Sequence, residues 1–286
     1  MIDLYSEIRR RYGNIRRARG YYLYTEKNIR LLDLWLDGGK AILGRRSGQA
    51  NLACKQLLDR GLTGSLPTKA DRQLKDALSA LLPGYPVIRW YVSEERSNEL
   101  IRAALAKSTH DELPVWRPFL GVRTAKTCSP SSDTVDYPII SVTPVYPVSY
   151  GIIAAQQDFE DRLPPSDPLF PPLAYSLARA FFDVQHKIRK QQDSVPLGGT
   201  SKAGSTRNPY AVRKQESNLT PLLPYIWEQN SRYLFPQIAE EDYPQLFSEA
   251  LDARIVLSPD YHIPSILPDC GTYTELLKFL KTRIAE

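Results

Sequence analysis

Residues 82–106 read LPGYPVIRWYVSEERSNELIRAALA, and the three parts of this stretch decide the fold. Val87–Val92 is apolar and aromatic, bounded by proline before it and a polar cluster after it, which is the pattern of a buried strand. Ser93–Ser97 is a tight polar turn. Leu100, Ile101, Ala104 and Leu105 recur at helical spacing and predict a helix with one apolar side. In α/β proteins, a strand turning into a helix N-terminus is where anions bind, because the first backbone N–H groups point at the ligand. Glu94 and Glu95 oppose that use, since two carboxylates stand where the anion would approach.

Around this stretch lies a chain of 286 residues, long enough for one large core or two moderate ones. Its 42% hydrophobic and 24% charged content is ordinary for a soluble globular protein. Apolar runs fall short of the ~18 residues of a membrane span, and the opening Met1-Ile-Asp-Leu-Tyr-Ser-Glu-Ile has no apolar leader. A cytoplasmic location and no membrane partner are the expectation. Cys54, Cys128 and Cys270 are odd in number and far apart, which argues against a disulfide framework or a zinc site and fits a reducing compartment. His110, His186 and His262 are equally scattered, without metal-ligand spacing.

Net charge is +5, with arginines gathered at Arg9, Arg10, Arg11, Arg16, Arg17 and Arg19. They read as a solvated segment that leads a helix, and otherwise as an arm for nucleic acid. Tyr21, Tyr22 and Tyr24 follow but alternate along a strand, and the nucleic-acid reading has no fold motif behind it.

Residues 3–12 have helical spacing, with Leu4 and Ile8 aligned. Tyr21–Tyr24 and Ile29–Leu34 predict a hairpin around Thr25-Glu26-Lys27-Asn28. Gly38-Gly39 and Gly44 mark the next turn, and Gln49–Arg60 is an amphipathic helix stopped by Gly61. Leu74–Leu82 is a helix, Gly151–Ala155 a strand, Gln156–Arg162 a short helix and Ala174–Arg189 a long one. Gly198–Asn208 is a loop rich in small polar residues. Helices are expected at Gln245–Ala250 and Tyr273–Ile284, with a strand at Arg254–Ser258.

Several of these segments, in this order, resemble the class III aminotransferases of fold type I, which use pyridoxal phosphate (PLP), and the glutamate-1-semialdehyde aminomutases among them. The run ARGYYLYTEKNIRLLDLWLDGGKAILG is similar to that family's opening hairpin and glycine loop. Strand, turn and helix at Val87–Ala106 resemble its strand–SGSEA–helix segment, whose turn grips the cofactor phosphate. Pro171-Pro172-Leu173-Ala174 stands where the family has NPLA, and FSEALDARIVLSPDYHIPSIL resembles its C-terminal domain. The likeness runs almost unbroken from Ala18 to Thr109.

After Ser108 the chain looks abridged. Lys107-Ser108-Thr109-His110 leads directly to Asp111-Glu112-Leu113, which looks like the family tripeptide whose Asp pairs with the pyridine nitrogen, or else decorates a surface turn. Trp116-Arg117 and Leu120-Gly121 parallel the family's continuation. Counting forward from Asp136, or back from Tyr150-Gly151, puts the Schiff-base lysine position at Val142. No lysine occurs between Lys126 and Lys187.

PLP chemistry needs a lysine amine, an acid on the pyridine nitrogen, a stacking ring, and backbone N–H groups with hydroxyls at the phosphate. Val142 can neither condense with an aldehyde nor carry a proton. Ser93, Glu94, Glu95, Arg96 and Ser97 form a relic cup whose two full negative charges exceed the roughly +0.5 charge of a helix N-terminus. The bland account of Glu94-Glu95 is that acidic residues stabilise a helix's first turn; a cation or amine held by Glu94, Glu95 and Asp111 is the other.

The resemblance implies an α/β fold of aminotransferase type, with a central mixed sheet and a small α+β domain built from both ends of the chain. The expected division is an N-terminal segment at 1–60, an abridged large domain at 61–195, a loop at 196–215 and a C-terminal small domain at 216–286. The expected function is that of a degenerate, non-catalytic aminotransferase-like protein in a homodimer, or in a heterodimer with an intact aminotransferase. No cofactor is expected, and PLP only if the relic site is retained. An enzyme holding PLP, a small amine or a sugar in the relic cleft is one alternative, and a basic module for nucleic acid the other.

Overall fold

The computed structural model describes residues 2–45, 48–64, 68–108, 112–123, 137–193, 218–270 and 272–285. Its contacts divide the chain into two units, 1–38 with 193–286, and 39–192. Strands and helices are numbered below in chain order.

In the first unit, α1 (Leu4–Tyr12) starts where the Asp3 carboxylate accepts the Ser6 N–H at 3.1 Å. The strands β1 (Ile15–Arg19), β2 (Tyr22–Thr25) and β3 (Arg30–Asp33) pair antiparallel, and β11 (Ile255–Val256) joins β3 in parallel. Of the arginines expected to lead a helix, Arg9, Arg10 and Arg11 form the last turn of α1, while Arg16, Arg17 and Arg19 lie on the exposed edge strand β1. Side chains of like charge along such an edge discourage a further strand from pairing there. Arg17 lies over the Tyr24 ring at 5.6 Å and Arg30 over Tyr22 at 4.5 Å, so the tyrosine faces are covered by the chain's own guanidinium groups.

A second small sheet holds β9 (Trp227–Asn230), β10 (Tyr233–Pro236) and β12 (Ser265–Ile266), in the order β12-β10-β9. The helices α6 (Tyr243–Asp252) and α7 (Thr274–Ala285) also belong to this unit.

The second unit is built on a five-stranded sheet of β4 (Val87–Tyr91), β8 (Gly151–Ala155), β7 (Ile139–Val142), β5 (Val115–Arg117) and β6 (Gly121–Arg123), in that order. β4, β7 and β5 point one way, while β8 and β6 run against them. Among the described residues, the α-helices of this unit are α2 (Gly48–Asp59), α3 (Ala70–Leu81), α4 (Glu94–Leu105) and α5 (Pro171–Asp193). Residues 39–60, grouped with the N-terminal segment on sequence, carry α2 into the second unit.

Strand alternation sorts the sheet residues onto two faces. On one, Val87, Tyr91, Ile139, Ile153 and Ala155 pack with Ile101 of α4 and with Phe159 and Leu163. Leu100, Ala104 and Leu105 flank Ile101, as their spacing predicts. Burying such a side chain stabilises by about 1.5–3 kcal/mol, and Ile101 is fully buried. The other face carries Ile88, Trp90, Ile140, Val142 and Ile152, all buried. On this face Trp116 of β5 meets Phe181 of α5 with ring centres 6.2 Å apart, and α3 packs against β4.

The structure differs from the sequence reading at three further places. Ser93–Ser97 is not a free turn: only Ser93 precedes the helix, and residues 94–97 are its first turn. Helix α3 begins at Ala70 rather than Leu74. The short strands β5, β6 and β10 have no clear signal of their own, being only three or four residues long. Asp111 and the loop expected at 196–215 lie outside the described residues.

Candidate functional site

β4, β7 and β5 all end at one edge of the five-stranded sheet, and β8 begins there. Register fixes this: Tyr91 pairs with Gly151, Ile152 bridges Trp90 and Val142, and Val142 pairs with Trp116. Open α/β sheets hold ligands outside the carboxyl ends of their strands. The candidate site is therefore this edge, with the N-terminus of α4 at its centre.

Ser93 is extended, at φ −142° and ψ 155°, and caps the helix: its Oγ accepts the Arg96 N–H at 3.2 Å. Glu95 turns back on the same end. Hydrogen bonds from its own backbone N–H and from Ser93 hold its carboxyl below the ordinary range, against a small effect of burial and with help from Lys40. The Ser97 hydroxyl donates to the Glu94 carbonyl at 2.8 Å. In this way the first turn of α4 uses its own side chains to satisfy donors that a helix N-terminus leaves open.

Lys40 supplies the charge balance. Its ammonium is 2.5 Å from Glu94 Oε1, an oxygen shielded from water, and both side chains are partly buried. On the other flank Arg96 lies 5.7 Å from the Tyr91 ring centre and 3.7 Å from Asp167. Asp167 in turn accepts the Val92 N–H at 2.9 Å, which ties down the strand–helix junction. Tyr91 donates its hydroxyl to the Pro164 carbonyl at 2.8 Å, and burial raises its pKa.

Beside this helix end, Gly151 allows a close approach of strand and helix. A Cβ there would stand 2.2 Å from Ser97 Oγ and 2.5 Å from the Ser93 carbonyl oxygen. Hence β8 starts in direct contact with the first turn of α4. Val142 sits elsewhere: it belongs to the face that carries Trp116, opposite α4, and is 1% exposed. The structure brings Ser93, Glu94, Glu95, Arg96 and Ser97 together at one helix end. It places Val142 two strands from β4 on the other side of the sheet, and Asp111 is outside the described residues.

Lys40, Gly151 and Asp167 are the site residues that sequence reasoning missed. Lys40 follows the Gly38-Gly39 pair, a loop signal without chemical content, and only folding brings it to Glu94. Among the described residues there is no group of His, Cys, Asp and Glu able to hold a metal, and no helix long and apolar enough to cross a membrane.

Comparison with known proteins gives two kinds of relative. No protein-family model matches the chain. An uncharacterized protein of Treponema pallidum (strain Nichols) is 38% identical over 303 residues, spanning 96% of this chain and 95% of its own length. One of Borreliella burgdorferi is 24% identical over 278 residues, spanning 95% and 93%. Among solved structures, the ornithine aminotransferase PY00104 of Plasmodium yoelii matches at a TM-score of 0.61 with 13% identity, covering 97% of this chain and 98% of that one. The acetylornithine aminotransferase of Elizabethkingia anophelis matches at 0.60 with 11% identity, covering 97% and 96%. An omega-transaminase from Sphaerobacter thermophilus reaches 0.62 with 11% identity, covering 99% and 96%. At such identities these likenesses show the fold alone. The chain therefore belongs to the family of the Treponema pallidum protein, and its fold is aminotransferase-like.

Proposed function

We propose that this chain is an abridged aminotransferase-like protein without PLP transaminase activity, which acts as a structural or regulatory partner in a homodimer or beside an intact aminotransferase. One observation carries the reading: the N-terminus of α4 is occupied by its own side chains. Ser93 takes the Arg96 N–H, Glu95 folds onto its own N–H, and Glu94 is paired with Lys40. These residues do not fit a PLP phosphate, because two carboxylates stand at the end of the helix where the dianion would need donors. Val142 supports the same reading, since an apolar side chain in the sheet core offers no amine.

Titration of the purified protein with PLP tests the proposal. The expected result is no saturating absorbance change between 400 and ~430 nm and no borohydride-stable adduct by mass spectrometry. A stoichiometric adduct would overturn it. Sedimentation of the purified chain, alone and mixed with a candidate aminotransferase, tests the partner role; a 32.5 kDa monomer under both conditions counts against it.

Lys40 favours a second reading, an enzyme that holds PLP, a small amine or a sugar in the cleft. It is the lysine that stands beside α4, although an ammonium held by Glu94 lacks the lone pair that condensation with a carbonyl needs. A borohydride-stable adduct mapped to Lys40 would replace the first reading with this one.

A further inference from the structure

Within the first unit, a groove of about 640 Å³ runs between α6 and α7, a volume suited to a small molecule. Its carboxylates are already taken. Glu249 is ion-paired with Arg283, Asp252 with Arg11 at 2.6 Å, and Glu275 with Arg30 at 2.6 Å. Two cations on the groove wall are left over. Among the described residues, Arg254 and Lys278 have no carboxylate within 4.0 Å; the lining itself has three carboxylates and three cations, and the positive excess around it comes from Arg11, which Glu7 shares, and Arg30, which pair with Asp252 and Glu275 from outside.

Arg254 also sits where its backbone is unfavourable. Its φ is 66°, just past the C-terminus of α6, a left-handed position that favours glycine. A side chain there costs about 1–2 kcal/mol. The Arg254 backbone closes the helix end, and its side chain takes no part in that capping. The Ser248 carbonyl accepts from Arg11, the Glu249 carbonyl from the Ala253 N–H, and the Leu251 carbonyl from both Tyr12 Oη and the Arg254 N–H. The guanidinium is thus spare, and it lies on the wall of a cavity that also holds the Lys278 ammonium, the Thr282 hydroxyl and the buried ring of Phe279.

We infer that this groove binds a small dianion, with Arg254 and Lys278 as its charged donors. A phosphate group and a short dicarboxylate share that chemistry, and a guanidinium is suited to either because its donors match paired oxygens.

The test is calorimetric titration of the whole protein with inorganic phosphate and, separately, with succinate, in a chloride buffer of matched ionic strength. Saturable 1:1 binding of one probe is expected, and which probe binds distinguishes the two sources. Arg254→Gln and Lys278→Gln should each weaken it at least threefold, and the double variant at least tenfold. Arg19→Gln removes the same charge from the exposed strand β1 and should leave binding unchanged. Circular dichroism and the melting temperature of each variant without ligand check that the fold survives.

Absence of saturable binding for both probes overturns the inference. So does binding that is insensitive to both substitutions, or weakened equally by Arg19→Gln. Neither probe is PLP, so this outcome is separate from that of the PLP titration.

Discussion

Gly151 and Val142 carry the sharpest expectations of the second unit, for opposite reasons. At Gly151 the constraint is space, since any Cβ would overlap both Ser97 Oγ and the Ser93 carbonyl oxygen. Gly151→Ala should therefore destabilise the protein by about 2–3 kcal/mol, read as a shift in the urea midpoint at unchanged m-value. Adding Ser97→Gly should restore only part of that loss, because the Ser93 carbonyl is backbone and cannot be removed. At Val142 the constraint is polarity. Val142→Lys would put an ammonium on a buried sheet face beside Trp116 and Ile152, at a cost of about 3–5 kcal/mol. The same variant should form no borohydride-stable adduct with PLP, since its amine would start from the face opposite α4. An adduct at residue 142 would show that the lysine position and the helix end share one cleft.

Helix α4 shows how far local signals reach. Its apolar positions are legible because they form a pattern within a dozen residues, whereas Ser93 reads as part of a polar turn and only the structure shows it as the cap. Ser93→Ala should cost about 1 kcal/mol in chemical denaturation, the usual worth of a cap, without changing the far-ultraviolet spectrum. The pairing of Lys40 with Glu94 is not legible, because 54 positions separate them and nothing local records the approach. Strand β1 shows the converse failure. An arginine run carries no strand periodicity, yet it pairs with β2 because the alternating Tyr22, Leu23, Tyr24 and Thr25 provide a template beside it. Short strands such as β5 and β6 escape sequence reading for the same reason: three residues cannot establish a period.

Across the whole molecule, the acid side of the stability curve should report on the first unit. Burial is the largest single influence and raises the Glu275 carboxyl, but the hydrogen bond from Arg30, a backbone N–H and the charges of Arg30 and Lys278 together outweigh it, so its pKa lies below the ordinary 4.5. A depressed carboxyl contributes stability above its unfolded-state value and loses it as pH falls through the folded-state value. Unfolding free energy should accordingly decline as pH drops below about 4.5, and Arg30→Gln should flatten that slope. An unchanged slope in Arg30→Gln would place the titration elsewhere. In the second unit Asp71 and Asp183 are raised by burial and contribute with the opposite sign to the depressed Glu95, so their effects there partly offset.

By itself the sequence determined several elements and their likeness to a known fold: the buried strand and amphipathic helix at 87–105, the hairpin that follows the arginines, and the ordered set of segments that resemble class III aminotransferases. These are local periodicities and motifs, and they survive without knowledge of any contact. Only the tertiary structure decided which side of the sheet Val142 faces, that Lys40 meets Glu94, that Gly151 is pressed against Ser97, and that Arg254 and Lys278 line one groove. The physical reason is common to all four. Register, strand direction and ion pairing join residues far apart in the chain, and no window of sequence contains both partners.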